Sequence, residues 1–233
     1  MKILIVSGFL GAGKTTFIKR LARNVDQRFA ILENEYGAAG IDGARLGQNR
    51  QGTQKNVWEM TEQCICCIGK KDFAASVLTI ANVVDPEYLI VEPTGVGSLA
   101  RIIENLRQIE YERIQLLSPV TIVDVYSYRR YMAEYPELYQ DQIRSADTII
   151  VSKTEACQAE EKQRIQKFLQ EINPQAKIIT DYASTMTRED YQSLLLGGRY
   201  EKEVQDTQSG EKMPETFSFE NIRMEAPETL WCF

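Results

Sequence analysis

A chain of 233 residues, 43% hydrophobic and 26% charged, has the make-up of an ordinary globular protein with room for one good-sized domain and a small appendage. Its net charge of −6 argues against a nucleic-acid-binding face, and no apolar run approaches membrane-spanning length. The short start, Met1-Lys2 and then a strand, leaves no room for a signal peptide. The expectation is a cytoplasmic protein with reduced cysteines and no nucleic-acid or membrane partner.

The first strand, Lys2 to Ser7, runs into Gly8-Phe9-Leu10-Gly11-Ala12-Gly13-Lys14-Thr15-Thr16. This is G-x-x-x-x-G-K-[ST], the phosphate-binding loop. Backbone amides at Gly8, Gly11, Ala12 and Gly13 can wrap a polyphosphate, with Thr16 on the inner phosphates. Lys14 brings charge to the outer phosphates, and the Thr15 hydroxyl is suited to Mg²⁺. A helix through Phe17 to Ala22 would aim its positive end at the anion.

Further strands are expected at Phe29 to Glu33, Tyr88 to Glu92, Val120 to Asp124, Thr148 to Ser152 and Lys177 to Thr180. They are short and almost uniformly apolar, as parallel strands covered on both faces should be. Helices lie between them. In Glu160 to Ile172, the residues Ile165, Phe168, Leu169 and Ile172 share one face, and Asn173-Pro174 ends the helix. The order is that of a doubly wound α/β sheet, with ligands at the carboxyl ends of the strands.

Those strand ends carry chemistry. Glu33-Asn34-Glu35-Tyr36-Gly37 follows the second strand. After Glu92 comes Pro93-Thr94-Gly95, where Gly95 can offer a backbone amide to a γ-phosphate. Glu92 either orients water and Mg²⁺ ligands or caps the next helix. Asp124 either faces the Mg²⁺ site or caps the helix after it. Ser152-Lys153-Thr154-Glu155 has the pattern of a guanine-reading loop. Its carboxylate accepts from guanine N1–H and the 2-amino group while the lysine stem covers the ring. Glu155 stands where Asp is usual, so the guanine preference is open to relaxation; a plain surface loop is the alternative.

Of five cysteines, Cys64, Cys66 and Cys67 fall within four residues, and the chain has no histidine. Such crowding suits thiolate binding of Zn²⁺, Co²⁺ or Ni²⁺ better than disulfides, with packed core cysteines as the alternative. Cys157 and Cys232 have no second soft ligand nearby in sequence. Tyr126, Tyr128, Tyr131 and Tyr135, with Arg129 and Arg130, read as an amphipathic helical run or a partner surface. The stretch 197–214 reads as a linker and 215–233 as a C-terminal strand segment, leaving 1–196 as the main domain.

Taken together, Gly8 to Thr16, Asn34-Glu35-Tyr36-Gly37 with Gly40-Ile41-Asp42, Glu59-Met60 ahead of Cys64-Ile65-Cys66-Cys67, Glu92-Pro93-Thr94-Gly95 and Ser152-Lys153-Thr154-Glu155 resemble the CobW-type GTPases, relatives of HypB and UreG. The resemblance covers about residues 1–185 and implies a SIMIBI-type P-loop GTPase. It also implies a GTP/GDP and Mg²⁺ switch that carries a transition metal at Cys64, Cys66 and Cys67 to a client metalloprotein or cofactor-assembly enzyme. Lys14, Glu35 and Glu92 are its implied catalytic group. No arginine finger is visible, so slow turnover is expected unless a homodimer or partner supplies one. Three departures stand out: Gln63 in place of Gly, Ala38 in place of a carboxylate, and a short C-terminus without the family's larger domain. A nucleotide-switched docking module for a metalloenzyme and a small-molecule kinase are the competing readings.

Overall fold

Strand β1 (Lys2–Gly8) is buried from Ile3 onward, as an apolar strand must be when helices cover both faces of its sheet. The computed structural model describes residues 1–27, 29–33, 57–61 and 70–204. Within them β1 is followed by α1 (Lys14–Asn24), β2 (Phe29–Glu33), β3 (Val57–Thr61), α2 (Lys70–Val83), β4 (Tyr88–Glu92), α3 (Leu99–Arg107), β5 (Gln115–Leu116) and β6 (Val120–Asp124). Then come α4 (Tyr128–Glu134), α5 (Pro136–Arg144), β7 (Thr148–Ser152), α6 (Ala159–Ile172), β8 (Lys177–Ile179), α7 (Tyr182–Thr185) and α8 (Arg188–Leu196). No described helix is long and apolar enough to cross a membrane.

The strands form one sheet in the order β3-β2-β4-β1-β6-β7-β8, with β5 paired to the start of β1. Every pairing is parallel. β1 is the turning point: β2 to β4 lie on one side and β6 to β8 on the other. Loops leaving the carboxyl ends of β1, β4 and β6 therefore open around a crevice, where such sheets bind ligands.

Alternation within β1 sorts the core. Ile3 and Ile5 pack with Leu32, Leu89 and Val91 under α2 and α3. Leu4 and Val6 point the other way, onto Phe17, Ile18 and Leu21 of α1 and Tyr191 and Leu195 of α8. A third cluster lies under α4, α5 and α6. In α6, Ile165 and Leu169 are fully buried, and Phe168 and Ile172 pack partly buried on the same cluster.

All six strands expected between Lys2 and Thr180 are present. β1 extends to Gly8, and β8 stops at Ile179, one residue short of the expected end. Two strands escape a search for uniform apolarity. β3 is an outer strand interrupted by Glu59. β5 is two residues long and is cut from β6 by Ser118-Pro119, because proline has no amide to give to a ladder.

The stretch expected to open a linker at Gly197 begins by packing on the domain. Leu117 and Arg199 form an antiparallel bridge. Tyr200 is buried, and its hydroxyl donates to the Ser145 carbonyl at 2.8 Å. Arg199 pairs with the buried carboxylate of Glu110 at 3.1 Å. A single large aromatic with a partner for its hydroxyl can anchor a strap that has no periodic pattern. Residues 205–233 lie outside the described residues, as do Glu35, Ala38, Gln63, Cys64, Cys66 and Cys67.

Candidate functional site

The phosphate-binding loop has the backbone its sequence demands. Gly11 and Gly13 have φ of +67° and +99°. Gly13 is the N-cap of α1 and brings no side chain to that helix end, so the first amides of the helix face the crevice. A side chain at Gly13 would meet the left-handed penalty of roughly 1–2 kcal/mol. Gly8 is required by space: a Cβ there would come within 2.4 Å of the Ile122 carbonyl oxygen on β6. The Lys14 ammonium, buried, donates to the carbonyls of Gly8 (3.0 Å) and Phe9 (3.3 Å). Thr16 is exposed on the first turn of α1.

On the β4 side, the Thr15 hydroxyl donates to Glu92 Oε1 at 2.9 Å. These two residues are 77 positions apart in sequence, and the fold joins them. Glu92 stands level with Glu33 in the β2–β4 register, and Glu33 stands level with Thr61 of β3. Glu33 is 6% exposed. Sequence alone offers Glu33 and Glu35 together; the strand register places Glu33, and Glu35 lies outside the described residues. Gly95 lies against the phosphate loop, where a Cβ would come within 2.4 Å of the Leu10 amide nitrogen. Only glycine fits that approach. Among the described residues no group of three metal-ligating side chains is gathered.

On the β6–β7 side the contacts close into a wall. Ser152 Oγ donates to the Ala12 carbonyl at 2.6 Å, tying the Ser152–Glu155 loop directly to the phosphate loop. Asp124 accepts from the Tyr126 amide (2.8 Å) and the Ser127 hydroxyl (2.9 Å), so it does cap the turn after β6. It also accepts from the Lys153 ammonium at 2.7 Å, a pairing that neither sequence reading of Asp124 contained. Lys153 has φ +60°, a left-handed conformation costing about 1 kcal/mol or more for a side-chain-bearing residue. The Asp124 contact and the buried Thr154 beside it hold it there. Thr154 in turn reaches Asp181. The Lys162 hydrogen bond, and after it the Thr154 bond, keep the Asp181 carboxyl below its ordinary range. Glu155 is exposed at the end of this loop.

Behind the loop lies an aromatic nest. Phe9 is buried against Tyr131, Tyr135 and Tyr139, with ring centroids 4.3, 5.7 and 5.4 Å away. The Tyr131 hydroxyl donates to the Leu10 carbonyl at 3.1 Å. Burial, and then the charge of Asp124, push the Tyr139 phenol upward, so it stays neutral. The tyrosine run therefore supports the phosphate loop, while Tyr126 is exposed.

A central β1 that delivers a glycine-rich loop to a helix N-terminus, in a parallel sheet with carboxylates at the neighbouring strand ends, defines a P-loop nucleotide-binding domain. Residues 2–180 match the family model described as CobW/HypB/UreG, nucleotide-binding domain, and the chain belongs to that family. It is 30% identical to the zinc chaperone YeiR of Escherichia coli (strain K12) over 178 residues, 75% of this chain and 53% of the relative. It is 27% identical to the zinc chaperone CobW of Pseudomonas aeruginosa over 194 residues, 71% of this chain and 52% of the relative. The chain thus spans about half the length of these relatives. The crystal structure of Zn(II)-bound YjiA GTPase from E. coli shares the fold at TM-score 0.58 and 20% identity, covering 87% of this chain and 66% of that one. HypB from Archaeoglobus fulgidus does so at 0.56 and 19%, covering 84% and 89%.

Proposed function

We propose that this chain is a GTP-hydrolysing switch that binds a transition metal ion through Cys64, Cys66 and Cys67 and passes it to a client metalloprotein or cofactor-assembly enzyme. The observation that carries this reading is the line Thr15–Glu92–Glu33–Thr61. It leads from the phosphate loop, across two adjacent strand ends, to the strand that runs toward the cysteines. Cys64 follows Thr61 by three residues, which the chain can span in at most about 11 Å. A change sensed at Glu92 therefore has a short route to the thiolates. Glu33, buried beside that route, is a candidate oxygen ligand to complement them. Carboxylate and thiolate together suit Zn²⁺, as do Co²⁺ and Ni²⁺. The names of the relatives favour zinc as cargo.

The nucleotide half follows from the chain's own groups. Amides of the phosphate loop and of the first turn of α1 hold the phosphates. Lys14 moves from the Gly8 and Phe9 carbonyls to the β- and γ-oxygens. Thr15, with Glu92 behind it, is an oxygen donor suited to Mg²⁺, which when bound supplies charge neutralisation on the outer phosphates. Glu92 and Glu35 orient the attacking water or the ion's own waters. The Gly95 amide senses the γ-phosphate. Lys153 and Glu155 take the guanine base, Glu155 accepting from its two N–H donors.

The test is a metal titration of the purified, reduced protein with Zn²⁺, Co²⁺ and Ni²⁺ separately, each with GTP–Mg²⁺ and with GDP. Tight binding that differs between nucleotides, and that is lost in Cys66→Ser/Cys67→Ser, is expected. Binding that is weak or equal in both states would overturn metal carriage and leave a nucleotide-switched docking module.

A further inference from the structure

Helix α5 grips the loop 93–98 at two points. Asp141, buried, accepts the Leu99 amide at 2.6 Å and the Ala100 amide at 3.4 Å, holding the start of α3. Gln142, 1% exposed, donates through Nε2 to the carbonyls of both Gly95 (3.1 Å) and Gly97 (2.9 Å). The carbonyl of Gln142 is itself fixed by the Thr121 hydroxyl at 2.8 Å, so the grip is anchored in β6. Three residues earlier on the same helix, Tyr139 packs on Phe9 of the phosphate loop. One rigid element therefore touches both nucleotide loops.

The chemistry fixes the orientation of the Gln142 amide: two carbonyl acceptors require its NH₂ side. Its Oε1 is then buried, and among the described residues no donor reaches it. A buried acceptor left unmet is costly and calls for an explanation. The peptide that joins Gly95 to Val96 supplies one. It is planar and trans, so a carbonyl held toward α5 sends the Val96 N–H to the opposite side. Gly95 has no side chain to resist rotation of that plane. If the plane turns over, the Val96 N–H comes to face α5. A half-turn of the Gln142 amide about its soft terminal torsion then offers Oε1 to it, at the cost of the bond from Nε2 to the Gly97 carbonyl.

We propose that Gln142 is the positioning residue of the γ-phosphate-sensing loop, an amide latch able to satisfy either orientation of the Gly95–Val96 peptide. Nε2 holds the carbonyl in one orientation and Oε1 accepts the amide in the other. The proposal rests on the reading of loop 93–98 as a phosphate sensor. It adds the residue that gives the sensor two defined positions.

The experiment compares wild type with Gln142→Met, which keeps length and loses all hydrogen bonds, with Gln142→Glu, which keeps shape and loses both donors, and with Gly95→Ala. The readouts are thermal unfolding, Kd for GDP, Kd for a non-hydrolysable GTP analogue with Mg²⁺, and kcat and KM for GTP. Both Gln142 variants are expected to unfold cooperatively and bind GDP within about threefold of wild type, while kcat falls about tenfold or more and the preference for the analogue over GDP is lost. Gln142 variants with wild-type kcat and preference, beside a Gly95→Ala that loses both, would overturn the latch and leave the sensor standing. A wild type without preference, or a Gly95→Ala that behaves as wild type, would remove the sensor and the latch with it. Parallel loss of stability and of both affinities would reduce Gln142 to packing. Should Gln142→Met fail to fold, Gln142→Glu decides on the same readouts.

Discussion

On the β6–β7 flank of the central strand, the polar groups beside the phosphate loop close on one another. Asp124 takes three donors, Ser152 reaches the Ala12 carbonyl, and Lys153 is drawn to Asp124. On the β2–β4 flank, two carboxylates, Glu33 and Glu92, stand level on adjacent parallel strands. Carboxylate oxygens gathered at neighbouring strand ends suit a divalent cation. The first flank is a preformed wall, suited to reading something that does not change, such as a base. The second presents carboxylates on two adjacent strand ends, which is what the proposed sensing of phosphate and metal needs.

The sharpest way to break this contrast is at Glu92. Glu92→Gln keeps the shape and the contact to Thr15 but removes the charge. GTP turnover should fall about 100-fold and need more Mg²⁺ to reach its maximum, while GDP affinity changes little. Steady-state kinetics across a Mg²⁺ series checks this. Unchanged turnover would mean that the carboxylate only holds the Thr15 hydroxyl in place.

Glu33 should have a smaller and different effect. Glu33→Gln is expected to weaken Zn²⁺ binding about tenfold or more and to leave metal-free GTP turnover within about twofold of wild type. Calorimetric titration beside a turnover assay separates the two. Loss of turnover with metal affinity intact would move Glu33 from the metal side of the flank to the phosphate side.

What could be read in advance follows the same divide between local and distant determinants. The phosphate loop is legible because strand, glycines, lysine and helix are contiguous in sequence. The α6 face is legible because its apolar spacing is periodic. Gln142 is not, since its acceptors lie 45 and 47 residues away and nothing near Gln142 in sequence marks it. Asp124 is ambiguous in sequence for the same reason, as Lys153 arrives from the end of the next strand. Glu33 takes its place beside Glu92 only through register, and Tyr200 is anchored only by the distant carbonyls of Leu116 and Ser145.

The wall flank should respond least. In Asp124→Asn the turn cap survives, because an amide oxygen can still accept from the Tyr126 amide, but the charge that aligns Lys153 is gone. That ion pair is half open to solvent, with Lys153 48% exposed, so screening discounts it to about 1 kcal/mol or less. The expected outcome is a loss of up to about fivefold in GTP affinity. If the lysine stem covers the base as proposed, discrimination against ATP should weaken by a similar factor, while kcat at saturating GTP stays as in wild type. Competition binding of GTP and ATP measures it. A fall in kcat with base preference unchanged would mean that Asp124 works on the phosphate side after all, and the two flanks would then share one task.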